Sequence, residues 1–515
     1  MEYQAQTFSL RPDIPFDAEY PLTIVDGLMP PSNGAYLFIY DTTDEKQDAA
    51  IYQKDLADRL QKSLRSFIQN PGEKLKGYPE LLGSICEDPL TARVHVKVMK
   101  SSEVKFTVAI RNDISYQDLR PDLQFPTNCV PLEIFAPGLA TIVPTDTKER
   151  PAFWVRLTFV KGGFVLMANK HHFLVDGTGL AKFMQEWFLK ARELKSSGEK
   201  DVLSCKIDRN KHNQRLLDFE KYPTTHLAPG LNYKVAPGAR RTMYGCPDFD
   251  SNIILFVKRV VEFITYWFPS LPLGTKTQMF HFKMESLQQL KDIAESKAPT
   301  RISTNDSMMA FIWRCVTRAR QTGIENPQGS SKMLFIADFR SRLDPPLLAN
   351  YFGNAVQCLP SSMPIATLLE PTKDFLGVTA AALRASLQKL DTSLVRSSVQ
   401  FVASHQRTSD VQEDLKIFRG PDIFTTSWEN FYPSTESLEL GVGKFRRVRC
   451  PGRPSYDGGY IVMPAYGLRD VTPEDDKSYP GGLEVLLDLR KPHMDALMTD
   501  SEWRQFVTWP GKIES

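Results

Sequence analysis

The stretch His171-His172-Phe173-Leu174-Val175-Asp176-Gly177 decides how the chain is read. Two adjacent histidines, three apolar residues and Asp-Gly are an uncommon combination in a chain with only 8 histidines. Upstream, Phe153 to Val160 reads as an apolar strand, Lys161-Gly162-Gly163 as a hairpin turn and Phe164 to Asn169 as the return strand. Adjacent glycines supply the positive φ that a tight turn needs. Downstream, Leu180, Phe183, Met184, Trp187, Phe188 and Leu194 recur at helical spacing as one apolar stripe. That stripe reads as core and not as a ligand box. The motif therefore falls at a strand-to-helix junction, where rigid elements hold side chains in place. The plain structural alternative is a buried histidine pair followed by a helix-capping aspartate.

A chain of 515 residues is long for one core, so two domains are expected. Its 42% hydrophobic and 24% charged residues are those of a globular protein. A net charge of +2 gives no electrostatic case for nucleic-acid binding. The 7 cysteines are scattered and odd in number, without a Cys-x-x-Cys pair. Neither a zinc site nor a disulfide framework is indicated, no metal is expected, and a reducing, cytoplasmic setting fits. The opening Met-Glu-Tyr-Gln has no basic start or apolar core, so no secretory signal is expected. No apolar run reaches membrane-spanning length. The nearest, 253–268, is interrupted by Lys258, Arg259 and Glu262 and reads as a packed or interfacial helix.

Outward from the motif, Pro21 to Tyr40 reads as a Pro/Gly-rich loop and then a strand, and Leu56 to Phe67 as a helix. Val94 to Ile110 gives two short strands. Residues 206–275 look like a crossover segment between an N-terminal domain, 1–205, and a C-terminal domain, 276–515. In the second half a unit starts near Thr277 with a strand, Met279 to Met284, Thr304-Asn305-Asp306 caps a helix, and Met333 to Ala337 is a strand entering Asp338-Phe339-Arg340. Phe424 to Trp428 opens a last sheet region, which Ser437 to Gly443 continues. The chain thus mixes strands and helices in two halves of similar kind, an α/β (α+β) class.

With these residues laid out, the sequence resembles the BAHD acyltransferases, in their fungal, trichothecene 3-O-acetyltransferase-like branch. His172-x-x-x-Asp176-Gly177 matches the family's catalytic motif. Leu22 to Pro30 resembles its opening loop, and Leu64 to Leu82 its helix and Tyr-Pro turn. Ser303 to Arg320, Asp338-Phe-Arg340-Ser-Arg342 with Tyr351-Phe-Gly-Asn354, and Gly481 to Met494 match further blocks. One departure stands out. The family's Asp-Phe-Gly-Trp-Gly element is here Glu439-Leu440-Gly441-Val442-Gly443, without either aromatic.

The resemblance implies two chloramphenicol-acetyltransferase-like domains, each a mixed sheet flanked by helices, with the active site in a channel between them. It implies a monomer that transfers an acyl group, by default acetyl, from acyl-CoA to a hydroxyl or amine of a small specialised metabolite. His172 is the expected general base, since a neutral imidazole is available near pH 7. Asp176 is expected to pair with Arg340 and hold the junction, with His171 supporting and Gly177 permitting the turn. Thr426 and Trp428 are candidates for meeting the developing oxyanion. Arg301, Ser303 and the run Lys444, Arg446, Arg447, Arg449 are candidates for the phosphates of coenzyme A. Two alternatives stay open: a condensation-domain-like enzyme using carrier-bound acyl groups, and a family fold reused as a cyclase or scaffold.

Overall fold

Alternating side chains divide Asn33–Asp41 between two cores: Tyr36, Phe38 and Tyr40 face one, Leu37 and Ile39 the other. That strand belongs to a six-stranded sheet ordered Tyr3–Leu10, Val104–Ser115, Phe153–Lys161, Gly163–His171, Asn33–Asp41, Lys444–Arg449. Its pairs are antiparallel except that between Val104–Ser115 and Phe153–Lys161. The motif strand, Gly163–His171, is buried along its whole length. The structure, a computed structural model, describes residues 3–45, 48–69, 77–120, 130, 132–137, 150–197, 209–235, 274–321, 328–348, 350–372, 374–416, 420–432, 434–450, 457–464 and 481–509. The expected helix at 253–268 lies outside them, as does most of the second half of the 206–275 segment.

The hairpin forms where the glycines place it, with Gly162 at a φ of 72°. The motif helix follows at once as Gly177–Ser197. Leu180, Phe183, Met184, Trp187 and Phe188 are all fully buried, each contributing roughly 1.5–3 kcal/mol through burial. The Trp187 indole donates to the Leu60 carbonyl at 3.1 Å and the Ser63 hydroxyl at 3.0 Å, fixing this helix against Ala49–Phe67.

The second sheet has seven strands in the order Val356–Pro364, Ser330–Asp338, Ile423–Ser427, Gly459–Val462, Leu483–Arg490, Thr275–Phe282, Val507–Thr508. It is mixed, with parallel pairs on both sides of Ile423–Ser427. Helices Met284–Glu295, Thr304–Ala319 and Asp374–Gln388 pack beside it. The cap of Thr304–Ala319 is Ser303, one residue earlier than expected, in a reciprocal capping box with Asp306. Both halves are thus mixed sheets flanked by helices.

Residues 437–443 do not continue the sheet. A short 3-10 turn, Glu436–Leu438, leads into bends, and the next strand, Lys444–Arg449, pairs with Asn33–Asp41 in the N-terminal sheet. The basic run is therefore a sheet strand with Arg447 and Arg449 buried.

Candidate active site

The strand Gly163–His171 ends inside the molecule and delivers both histidines there. His171 is fully buried; its Nδ1 accepts the Phe173 backbone N–H at 3.2 Å. Burial, then Arg150 and Lys170, push its pKa down to about 3, so the ring is neutral. His172 instead lines a cavity of about 260 Å³. Residues of both halves wall that cavity: Tyr36, Lys170 and His172 from the first, Gln357, Thr426 and Trp428 from the second. Burial, helped by the charge of Lys170, holds the His172 pKa well below the ordinary histidine value. Its Nδ1 meets no hydrogen-bond partner among the described residues.

The His172 backbone is held on both sides. Its N–H donates to the Ser32 carbonyl at 2.8 Å, and its carbonyl accepts Asn354 Nδ2 at 3.0 Å. Asn354 Nδ2 also donates to Phe173 O at 3.2 Å and Asp26 Oδ1 at 2.9 Å. Asp26 closes the capping box of the short helix Ile24–Leu28 with Thr23. The opening loop and the Tyr351-Phe-Gly-Asn354 block therefore meet on the catalytic motif.

Asp176 is turned to a different task. Arg340 grips it with two bonds of 2.9 Å, Nη1 to Oδ2 and Nη2 to Oδ1. Oδ1 also accepts the Gly179 N–H at 2.8 Å, capping the motif helix, and Oδ2 accepts the Ala355 N–H at 2.8 Å. Arg340 further donates to Asp338 at 2.7 Å and to the carbonyls of Tyr351 and Gly353 at 3.1 and 3.0 Å. Burial works against its charge, but Asp176 and Asp338 outweigh burial and hold its pKa above the ordinary arginine value. A carboxylate with four charged or backbone donors is a clamp between halves.

Gly177 is needed for a reason other than turn conformation. Its φ is not positive; a Cβ there would sit 2.2 Å from two ring carbons of Phe431. Phe431 stacks near Trp428, with centroids 6.0 Å apart, and Trp428 stacks on Tyr36 at 4.6 Å. Thr426 and Trp428 both line the cavity. The candidates for coenzyme A do not. Arg301 is exposed, the Ser303 hydroxyl is engaged in its capping box, and Arg446 pairs with Asp41 at 2.9 Å.

Two family profiles match the sequence: the trichothecene 3-O-acetyltransferase-like N-terminal domain over residues 37–191 and the Transferase family over residues 273–503. The chain belongs to the BAHD acyltransferase family. Among curated relatives, acyltransferase easC of Emericella nidulans is 23% identical over 472 residues, covering 88% of this chain and 90% of that protein. Trichothecene 3-O-acetyltransferase TRI101 of Fusarium sporotrichioides is 23% identical, covering 77% and 79%. The fold matches the crystal structure of F. graminearum TRI101 complexed with coenzyme A and T-2 mycotoxin with a TM-score of 0.71. That match has 18% identity and covers 96% of this chain and 100% of that one. Vinorine synthase matches with a TM-score of 0.63 and 17% identity, over 98% and 99% of the two chains.

Within this BAHD chain the altered Glu439–Gly443 element, 439–443, is a packed crossover. Leu440 and Val442 are buried in the N-terminal core. Arg59 Nη1 donates to the Leu440 carbonyl at 3.2 Å, and Tyr40 OH to that of Leu438 at 2.7 Å. Gly443 keeps a φ of 62°, and a Cβ there would meet the Asp41 carbonyl oxygen at 2.6 Å. Apolar residues thus fill the places of the missing aromatics. Sequence reasoning missed Tyr36, Lys170, Gln357 and Asn354. Lys170 left a signal, as a lysine just after the apolar run Phe164 to Ala168 and two residues before His172.

Proposed function

We propose that the protein transfers an acyl group, acetyl by default, from acyl-CoA to a hydroxyl or amine of a small specialised metabolite, with His172 as general base. The observation that carries this is the placement of His172: a neutral imidazole on the wall of a cavity shared by both halves, while the neighbouring Asp176 is committed to Arg340. The relatives support the substrate pair. One is named for O-acetylation of a trichothecene, and a solved neighbour holds coenzyme A and a mycotoxin together.

The acceptor O–H or N–H gives its proton to His172 as the new bond to the acyl carbon forms. The tetrahedral intermediate collapses by breaking the carbon–sulfur bond, and the proton passes to the departing thiolate of coenzyme A. No covalent acyl-enzyme is required, so both substrates sit in the cavity at once. Trp428 and Thr426 border the same space and are the donors proposed for the oxyanion. The low basicity of His172 keeps it unprotonated and ready at neutral pH. We read the enzyme as a monomer, because one chain supplies both walls, and as cytoplasmic, because among the described residues Cys86, Cys315 and Cys358 are not joined in disulfides. Carrier-dependent condensation and cyclase chemistry find no observation in their favour.

The test is thiol release from acetyl-CoA with a panel of hydroxylated and amino metabolites. His172→Ala is expected to fold, by circular dichroism, and to lose roughly 10²–10⁴-fold in rate. Full activity in that variant would remove the base assignment.

A further inference from the structure

Lys170 is a buried cation whose only use in the structure so far is to depress the pKa of its neighbours. It lies on the motif strand two residues before His172, and both residues line the cavity. Only 1% of it is exposed, and its Nζ meets no hydrogen-bond partner among the described residues. Other deeply buried cations of this protein are treated differently. Arg320 pairs with Asp457 at 3.1 Å, Arg340 with Asp176 at 2.9 Å and Arg449 with Glu484 at 2.9 Å. The carboxylate that does act on Lys170, that of Asp176, is already committed to Arg340.

Room for the lysine is built in. Gly34 pairs with Lys170 across the sheet and also lines the cavity. A Cβ on Gly34 would lie 3.0 Å from the lysine Cε and 3.5 Å from Nζ, so the stem rests on bare backbone. Burying an ammonium without a partner is costly, and here burial pushes its pKa down to about 7. An incoming anion would relieve that cost. A structural lysine would find its partner within the protein; this one faces the space where substrate is to lie.

We propose that Lys170, resting on Gly34, anchors a carboxylate of the acceptor, so that the hydroxyl or amine activated by His172 belongs to a hydroxy or amino acid. This rests on the acyl-transfer reading above and narrows its acceptor class. A carboxylate fits better than a phosphate because one ammonium balances one charge.

Two measurements test it independently. The first compares thiol release from acetyl-CoA with 3-hydroxybenzoate, 3-hydroxyoctanoate and 3-aminobenzoate against their methyl esters, in wild type and Lys170→Met. Wild type is expected to favour the acids by roughly 10–100-fold in kcat/KM, through KM, and the variant to lose that preference, so that the ratio of acid to ester kcat/KM falls toward one whatever its absolute rate. The second measures the shift in melting temperature with benzoate and with methyl benzoate, without acyl donor. Benzoate is expected to protect wild type and not Lys170→Met. Equal turnover of acids and esters by wild type overturns the proposal, and that comparison needs no variant. So does an equal loss on both classes in Lys170→Met, which would mark a role at the oxyanion. Absence of thiol release with every acceptor would instead remove the acyl-transfer reading, and the benzoate result would still decide the anchor.

Discussion

His171, the last residue of its strand, enters the N-terminal interior, while His172, the first residue of the turn that follows, faces the cavity. Their shared depression of pKa has a consequence for stability. In the unfolded chain His171 takes up a proton near pH 6.5; in the folded protein it does so only near pH 3. Between those values the unfolded state holds the extra proton, so stability falls as pH drops through that window. The full span amounts to at most about 5 kcal/mol. His172 contributes with the same sign. Melting scans between pH 7.5 and 4 should therefore show a steep acid decline that His171→Asn makes shallower without abolishing. Asparagine keeps an acceptor for the Phe173 N–H but does not titrate in that range. An unchanged slope in the variant would mean that other groups set the acid limit.

At the scale of elements, the strand–turn–strand–helix unit around the motif was legible because its signals are local. The glycine pair, the apolar alternation and the helical stripe lie within about two turns or strands of one another, and periodicity reports them directly. What held the unit in place was not legible. Asn354 reaches the His172 carbonyl and Asp26 across 182 and 328 residues of sequence, and the matched blocks did not reveal that they converge. The run from Lys444 to Arg449 read as a candidate for the phosphates of coenzyme A because the burial of Arg449 depends on Glu484, 35 residues further on. Gly177 read as a turn residue because its true constraint, the ring of Phe431, is contributed by the other half. This gives a test of the junction. Gly177→Ala must push that ring aside and is expected to cost about 1–3 kcal/mol by overpacking, with a raised KM since Phe431 also lines the cavity. Adding Phe431→Leu should recover part of the melting temperature. Failure of the second substitution to recover any of it would show that the glycine is needed for backbone reasons after all.

Over the whole molecule, the two halves are joined by features that ignore chain order. The strand Lys444–Arg449 leaves the second half to complete the first sheet. Phe352 packs its ring 4.7 Å from that of Tyr78, and Trp428 stacks on Tyr36. The Arg340–Asp176 pair differs from these contacts because both its charges are buried. Its two side chains are 5% and 3% exposed, which removes the solvent screening that makes surface pairs weak. Removing one partner leaves the other desolvated, a loss of roughly 3–5 kcal/mol, whereas removing both leaves no stranded charge. A double-mutant cycle separates this from a purely catalytic role for Asp176. Asp176→Asn and Arg340→Met are each expected to lower the urea midpoint and soluble yield. Their combination should cost clearly less than the sum of the two, as coupled neighbours do. Arg340 still has Asp338 as a second carboxylate, so Asp176→Asn should be the milder single change. If Asp176→Asn instead keeps its midpoint and loses only turnover, the aspartate orients the imidazole. If the two effects simply add, the pair does not couple the halves, and the shape of the cavity then rests on the aromatic contacts and the exchanged strand.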